Sequence, residues 1–181
     1  MTRSSRLLAA LAGGLLLLPG AHLAGCKSHD EGSAPAAQAS AAAFGGAECG
    51  ACGMVVREQP APRGQLVYHD GTRVFFCSLG DLVQYMQSPS PHGSVEQVYV
   101  EVLDPKADPH QPSTAPRPWE DADRAAFVLG VKRGHVMGEP VLAYASKSAA
   151  EAVAKRYGGR LVTWSAVRKE LAQGGPAMPM H

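Results

Sequence analysis

The chain has 181 residues, 45% of them apolar, and its 17 Lys+Arg nearly cancel its 16 Asp+Glu. So even a balance lacks the basic footprint that binding a nucleic-acid backbone requires. The length suits a single folded domain with something left over at the ends.

The leftover begins at the N-terminus. Arg3 and Arg6 precede an apolar run over residues 7–18, about the length of a signal-peptide core and short for a membrane-crossing helix. Pro19 and Gly20 break that run, and Leu23-Ala24-Gly25-Cys26 closes the segment. Small residues before a cysteine resemble the bacterial lipobox, in which the cysteine thiol receives the lipid before cleavage. Residues 1–25 therefore read as a lipoprotein signal peptide and Cys26 as the lipidation site. The expected location is the periplasmic side of a membrane, held by the lipid anchor. Lys27, where an aspartate would signal retention, tilts the assignment toward the outer membrane. Cleavage before Cys26 would leave 156 residues with 15 basic and 16 acidic side chains. No later apolar run is long enough to cross a bilayer.

Residues 26–47 are rich in Ala, Ser, Gly and Pro. A segment with so little apolar surface cannot offset its ordering entropy, so it reads as a lipidated flexible tether. The folded domain is expected over 48–173, followed by a mobile tail at 174–181 carrying Met178, Met180 and His181.

Within the domain, residues 65–69 and 72–76 flank Asp70-Gly71 and predict a β-hairpin. Ser78 is a plausible helix N-cap, with Asp81 three residues on but short of a full capping box. The helix that follows carries Leu82, Val83, Tyr85 and Met86 on one face. Strands are expected at 98–103 and 127–132, and the five prolines of 104–120 mark a loop between them. A strand at 140–145, an N-cap at Ser146 and a helix over 147–157 repeat the earlier order, with Gly158-Gly159 as the stop. A strand at 160–164 and a short helix at 166–171 opened by Ser165 complete the chain. The expected fold is α+β: two related strand–helix halves with small mixed or antiparallel sheets and helices on one side.

Cys49-Gly50-Ala51-Cys52-Gly53-Met54 is the segment richest in chemistry. Cys-x-x-Cys alone fits a redox pair, half a zinc site or a soft-metal site. Met54 favours the last, because a thioether is a poor ligand for zinc, whereas copper(I) accepts thiolate, thioether and imidazole. Gly53 allows a backbone bend that would bring the sulfurs of Cys52 and Met54 to one ion. The plainer alternative makes Met54 flexible core filler at the start of a strand with Val55 and Val56.

Cys-Gly-Met after a lipoprotein tether, then a hairpin ending in Phe75-Phe76 and a short helix, resembles the NosL family. The resemblance continues at Met137-Gly138-Glu139-Pro140, at residues 145–152 and at Tyr157-Gly158-Gly159-Arg160, and so covers nearly the whole domain. It implies a copper(I)-binding lipoprotein, not an enzyme, that serves the assembly of nitrous oxide reductase. The implied partners are a copper-accepting membrane transport complex or the nitrous oxide reductase apoprotein. Cys52 and Met54 match the family's Cys-x-Met metal motif, and Met137 matches its later Met-Gly element. Many relatives show Phe-Asp after the hairpin; here Cys77 follows Phe75-Phe76, which allows either a Cys49–Cys77 disulfide or a site richer in thiolate.

The remaining ligand candidates are Cys49, His69 and His135, the last two competing for an imidazole role. His69 adjoins the Asp70-Gly71 turn, and His135 lies two residues before Met137. The tail's Met178, Met180 and His181 offer a mobile arm for transient copper capture. Two other functions compete. A thiol–disulfide oxidoreductase would use Cys49 and Cys52 at a helix N-terminus, which Gly53 and the β-branched Val55 and Val56 oppose. A structural zinc site would use Cys49, Cys52, Cys77 and His69 and leave Met54 and Met137 without a purpose.

Overall fold

The structure, a computed structural model, describes residues 40–134 and 139–174. Its first sheet grows from the Asp70-Gly71 hairpin. Strands β1 (Gly64–Tyr68) and β2 (Arg73–Phe76) pair antiparallel around a turn in which Gly71 has φ +82° and Thr72 N–H donates to Asp70 Oδ1. β3 (Val95–Glu101) and β4 (Trp119–Asp121) complete a four-stranded sheet of order β2-β1-β3-β4. The second sheet has β5 (Ala126–Leu129) between β6 (Val141–Tyr144) and β7 (Arg160–Val162). Every pairing between these strands is antiparallel. The fold is α+β, as expected, with the mixed-sheet option removed.

Each half repeats strand–Ser–helix. Ser78 caps α1 (Leu79–Tyr85) by accepting from Asp81 N–H, and Ser146 caps α2 (Lys147–Tyr157) by accepting from Ala149 N–H. The two caps share one extended backbone conformation, φ −143° and −145°. Gly158, at φ +77°, ends α2 in the left-handed conformation that glycine adopts without a Cβ penalty.

β5 and β6 are buried on both faces because their side chains alternate between two cores. Phe127, Leu129, Val141 and Ala143 join Leu66, Phe76, Leu79, Leu82, Val100, Trp164 and Val167 in the main core. Ala126, Val128, Leu142 and Tyr144 turn the other way, onto Ala150, Val153 and Ala154 of α2. Among the described residues, no helix is long and apolar enough to cross a membrane.

Several boundaries differ from the sequence expectations, each for a local reason. The strand expected at 127–132 stops at Leu129, because Gly130 takes φ +81° and turns the chain away. The proline-rich loop ends in β4, whose Glu120 pairs with Val100. The last helix, α3 (Trp164–Gly174), starts earlier than expected: Thr163, not Ser165, accepts the Ala166 N–H. Residues 40–47, assigned above to the tether, are tied to the outer face of the first sheet. Gln65 and Ala42 exchange two hydrogen bonds, Arg73 donates to the Ser40 carbonyl, and Phe44 stacks under the Arg63 guanidinium at 4.4 Å. Residues 1–39, including the expected signal peptide and Cys26, lie outside the described residues.

Arg63 is fully buried, and so is Glu101 beside it on the β1–β3 ladder. Their ion pair is bidentate, Nε to Oε2 at 2.5 Å and Nη2 to Oε1 at 2.8 Å. The guanidinium also donates to the carbonyls of Arg57, Gln59, Thr114 and Ala115, while Glu101 accepts the Arg63 and Arg117 N–H groups. One side chain thus ties the 57–59 segment, the proline-rich loop and Phe44 to the sheet.

The open edge of β2 is covered by residues 47–56, which fold back on themselves. Glu48 bridges Val55, Val56 N–H donates to Ala47 O, and Cys49 bridges Phe75 in parallel. Gly50 N–H then donates to Phe75 O at 2.9 Å. Only a glycine fits there: a Cβ on Gly50 would fall 2.3 Å from Val74 Cγ1.

Two stability measurements check these contacts. Glu101→Gln leaves the Arg63 charge buried without its counter-ion and is expected to cost about 3–5 kcal/mol in urea unfolding. Gly50→Ala is expected to cost about 1–3 kcal/mol by overpacking against Val74. Adding Val74→Ala should recover part of that loss; no recovery would mean that the close approach is not what sets the position.

Candidate metal centre

Two elements meet to build the site. The hairpin of residues 47–56 brings Cys49 and Cys52 to the β2 edge, through a turn in which Gly53 N–H donates to Cys49 O and Cys49 N–H donates to Met54 O, both at 2.8 Å. Gly53 makes that turn possible at φ +74°. Cys77 follows β2 and immediately precedes the cap of α1, so Asp81 on the first turn of the helix comes back over it.

The three sulfurs and one carboxylate oxygen of Asp81 all lie within 4.8 Å of one another. Cys52 Sγ is 3.5 Å from Cys77 Sγ, Cys77 Sγ donates to Asp81 Oδ2 at 3.1 Å, and the Cys77 N–H points at Cys49 Sγ at 3.4 Å. No sulfur–sulfur bond joins them; all three cysteines are free, Cys49 and Cys77 buried and Cys52 exposed. The Cys49–Cys77 disulfide allowed by the sequence is therefore not formed.

The surroundings treat the thiols unequally. Burial pushes the Cys49 thiol up, but the N–H groups of Cys77, Ala51 and Cys52, together with the Cys52 thiol, outweigh it and hold the group below the ordinary range. Burial, reinforced by Asp81, Cys52 and the charge of Cys49, pushes the Cys77 thiol far up. The cluster thus has one sulfur, Cys49, that ionises more readily than an ordinary thiol and one, Cys77, that holds its proton and donates it to Asp81. A metal ion binding all three would expel protons, because thiolate is the ligand form. Sulfurs around a tetrahedral ion at 2.3 Å bonds stand about 3.8 Å apart, so this spread accommodates an ion after small adjustments.

Of the ligands expected from sequence, Cys49 and Cys52 are brought together. Met54 is half-buried against the main core without being enclosed by it, two residues beyond Cys52. His69 lies at the opposite end of the hairpin, exposed, with Nδ1 2.6 Å from Glu96 Oε1. The fourth donor beside the cysteines is Asp81 instead. His135, Met137, Met178, Met180 and His181 lie outside the described residues. The sequence alone offers Cys77 as a disulfide partner, an additional thiolate or a zinc ligand, and gives Asp81 no metal role. The signal for both was their spacing: a cysteine just before an N-cap and an acid four residues later face each other across the first helical turn.

The Cys-x-x-Cys does not cap a helix. It is followed by the bridge at Val55 and a single 3-10 turn, Val56–Glu58, which is not the setting that lowers a redox thiol's pKa at a helix N-terminus.

Residues 41–172 match the NosL family model. A copper-binding lipoprotein NosL from Stutzerimonas stutzeri is 27% identical over 139 residues, spanning 72% of this chain and 67% of the relative. The crystal structure of the copper chaperone NosL from Shewanella denitrificans superposes with a TM-score of 0.56 at 32% identity, covering 70% of this chain and 93% of that one. Both relatives are named for copper binding or carriage and not as enzymes. The chain belongs to the NosL family.

Proposed function

We propose that this chain is an exported, lipid-anchored carrier of copper(I), taking the ion at Cys52, Cys49 and Cys77 with Met54 as a thioether donor. The observation that carries the reading is the convergence of three thiols and a carboxylate within 4.8 Å where the 47–56 hairpin meets the start of α1, with Cys52 exposed. Soft sulfur donors select a soft monovalent ion, and the relatives from Stutzerimonas stutzeri and Shewanella denitrificans are named for copper. Cys52 is the exposed donor, so an acceptor's thiolate or thioether can reach the ion there and replace ligands one at a time. Met137 and an imidazole from His135 are further candidate donors, whereas His69 is too engaged with Glu96 to be preferred.

Within this reading, Cys26 carries the lipid, and the protein works on the periplasmic side of a membrane, with the outer membrane favoured by Lys27. The recipient is a copper-accepting membrane transport complex or an apoenzyme directly, and nitrous oxide reductase is the target best matched by the family. The tail with Met178, Met180 and His181 is a place for transient capture.

Anaerobic copper(I) titration of the reduced mature protein against a chromophoric chelator tests the site. Wild type is expected to take one tight equivalent. Cys52→Ser should weaken binding by more than the roughly 10–100-fold that losing an outer-shell partner costs, while Asp81→Asn should fall within that range. Met54→Leu is expected to weaken it clearly; unchanged affinity there would remove the thioether from the ligand set. Zinc held more tightly than copper(I) would overturn the carrier reading in favour of a structural zinc site.

A further inference from the structure

The three cysteines are not equally placed for oxidation. Cys52 Sγ and Cys77 Sγ are already in contact at 3.5 Å. A disulfide needs about 2.0 Å, so the two sulfurs must close by about 1.5 Å. The backbone can supply that movement on the Cys52 side. Residues 51–53 are exposed at the tip of the turn, and nothing lies within 4 Å of the space beside Gly53. Cys49 is held differently: its N–H and carbonyl are both hydrogen-bonded within the turn, its neighbour Gly50 is fixed to Phe75, and its sulfur receives the Cys77 N–H.

We propose that Cys52 and Cys77 form a reversible disulfide that closes the copper site, so that thiol oxidation and copper(I) compete for the same two sulfurs. This rests on the copper-carrier reading and names the regulation of that site. The oxidant is a disulfide, either a small-molecule one or that of a protein thiol oxidase. The exposed Cys52 thiolate attacks one sulfur of that disulfide, forming a mixed disulfide and releasing the other sulfur as a thiolate. Cys77, after giving up its proton, attacks Cys52 Sγ and expels the second thiolate. Two thiols become one disulfide, the oxidant becomes two thiols, and copper stays at the +1 level throughout. The closed form loses two of the three clustered thiolates and retains Cys49 and Asp81 beside Met54, a donor set that holds copper(I) far more weakly. Occupied by copper(I), Cys52 and Cys77 are withheld from the oxidant.

Peptide mapping separates this pairing from its rivals. Trypsin leaves Cys49 and Cys52 together on the peptide ending at Arg57, and Cys77 on the peptide spanning 74–106. Metal-free mature protein treated with glutathione disulfide, alkylated and digested is expected to give a cross-link between these two peptides. Fragmentation should assign it to Cys52 and Cys77. The cross-link should persist in Cys49→Ser, disappear in Cys77→Ser, and fail to form when the protein is first loaded with copper(I). The oxidised protein should bind copper(I) more weakly than any outer-shell loss would explain, beyond roughly 100-fold, and dithiothreitol should restore it. A bond confined to Cys49 and Cys52, or a Cys52–Cys77 bond that leaves copper affinity unchanged, overturns the proposal while the carrier reading stands. Reduced protein that binds no copper overturns the carrier reading, and the gating with it, whichever cross-link forms.

Discussion

An edge strand must be covered, and in this fold the segment that covers β2 is the one that carries the cysteines. An uncovered edge offers unpaired N–H and C=O groups to any other chain. Here the 47–56 hairpin takes up part of that edge through the Cys49–Phe75 bridge and the Gly50 N–H. The same pairing sets how far Cys49 and Cys52 stand from Cys77, which continues the strand being covered. Edge protection and donor geometry are therefore one constraint: displacing the hairpin opens the sheet and scatters the sulfurs together.

What holds the hairpin's outgoing end is the buried Arg63. Its guanidinium collects the carbonyls of Arg57 and Gln59, just past the cysteine hairpin, along with those of Thr114 and Ala115. A buried ion pair is weak evidence of net stability, since desolvation offsets much of the attraction. Its value here is positional. A guanidinium presents donors in a fixed fork, so two loops and the Phe44 ring are set in one arrangement relative to β1 and β3. An apolar pair of the same size would leave those loop carbonyls without donors inside the protein.

The parts of this fold legible in the sequence are those decided by local chemistry. Asp70-Gly71 marked the hairpin, Ser78 and Ser146 marked two helix starts, and Gly158 marked a stop, because turns and caps need particular residues at particular positions. The cysteine segment was legible as a sulfur site for the same reason. What escaped was set by distant partners. Nothing near Arg63 in sequence points to Glu101, 38 residues away. Ala- and Ser-rich residues 40–42 resemble a tether, yet Gln65 and Arg73 give their backbone groups partners on the sheet. Asp81 is legible in position beside the cap but not in role: its N–H is capped by Ser78, while its carboxylate turns to Cys77.

That division of Asp81 bears on how a site for a travelling ion is kept ready. A buried thiol beside a carboxylate keeps its proton, since ionising it would put two negative charges together in a poorly solvated place. Cys49, supplied with backbone N–H donors, carries negative charge more easily. The cluster thus avoids accumulating three mutually repelling thiolates before a cation arrives. An arriving cation changes the balance by providing the charge that the missing protons leave behind. A carboxylate that disfavours the bound form of one ligand also lowers the cost of letting the ion go. For a carrier, unlike a structural metal site, a ligand that binds reluctantly and leaves readily is the useful kind.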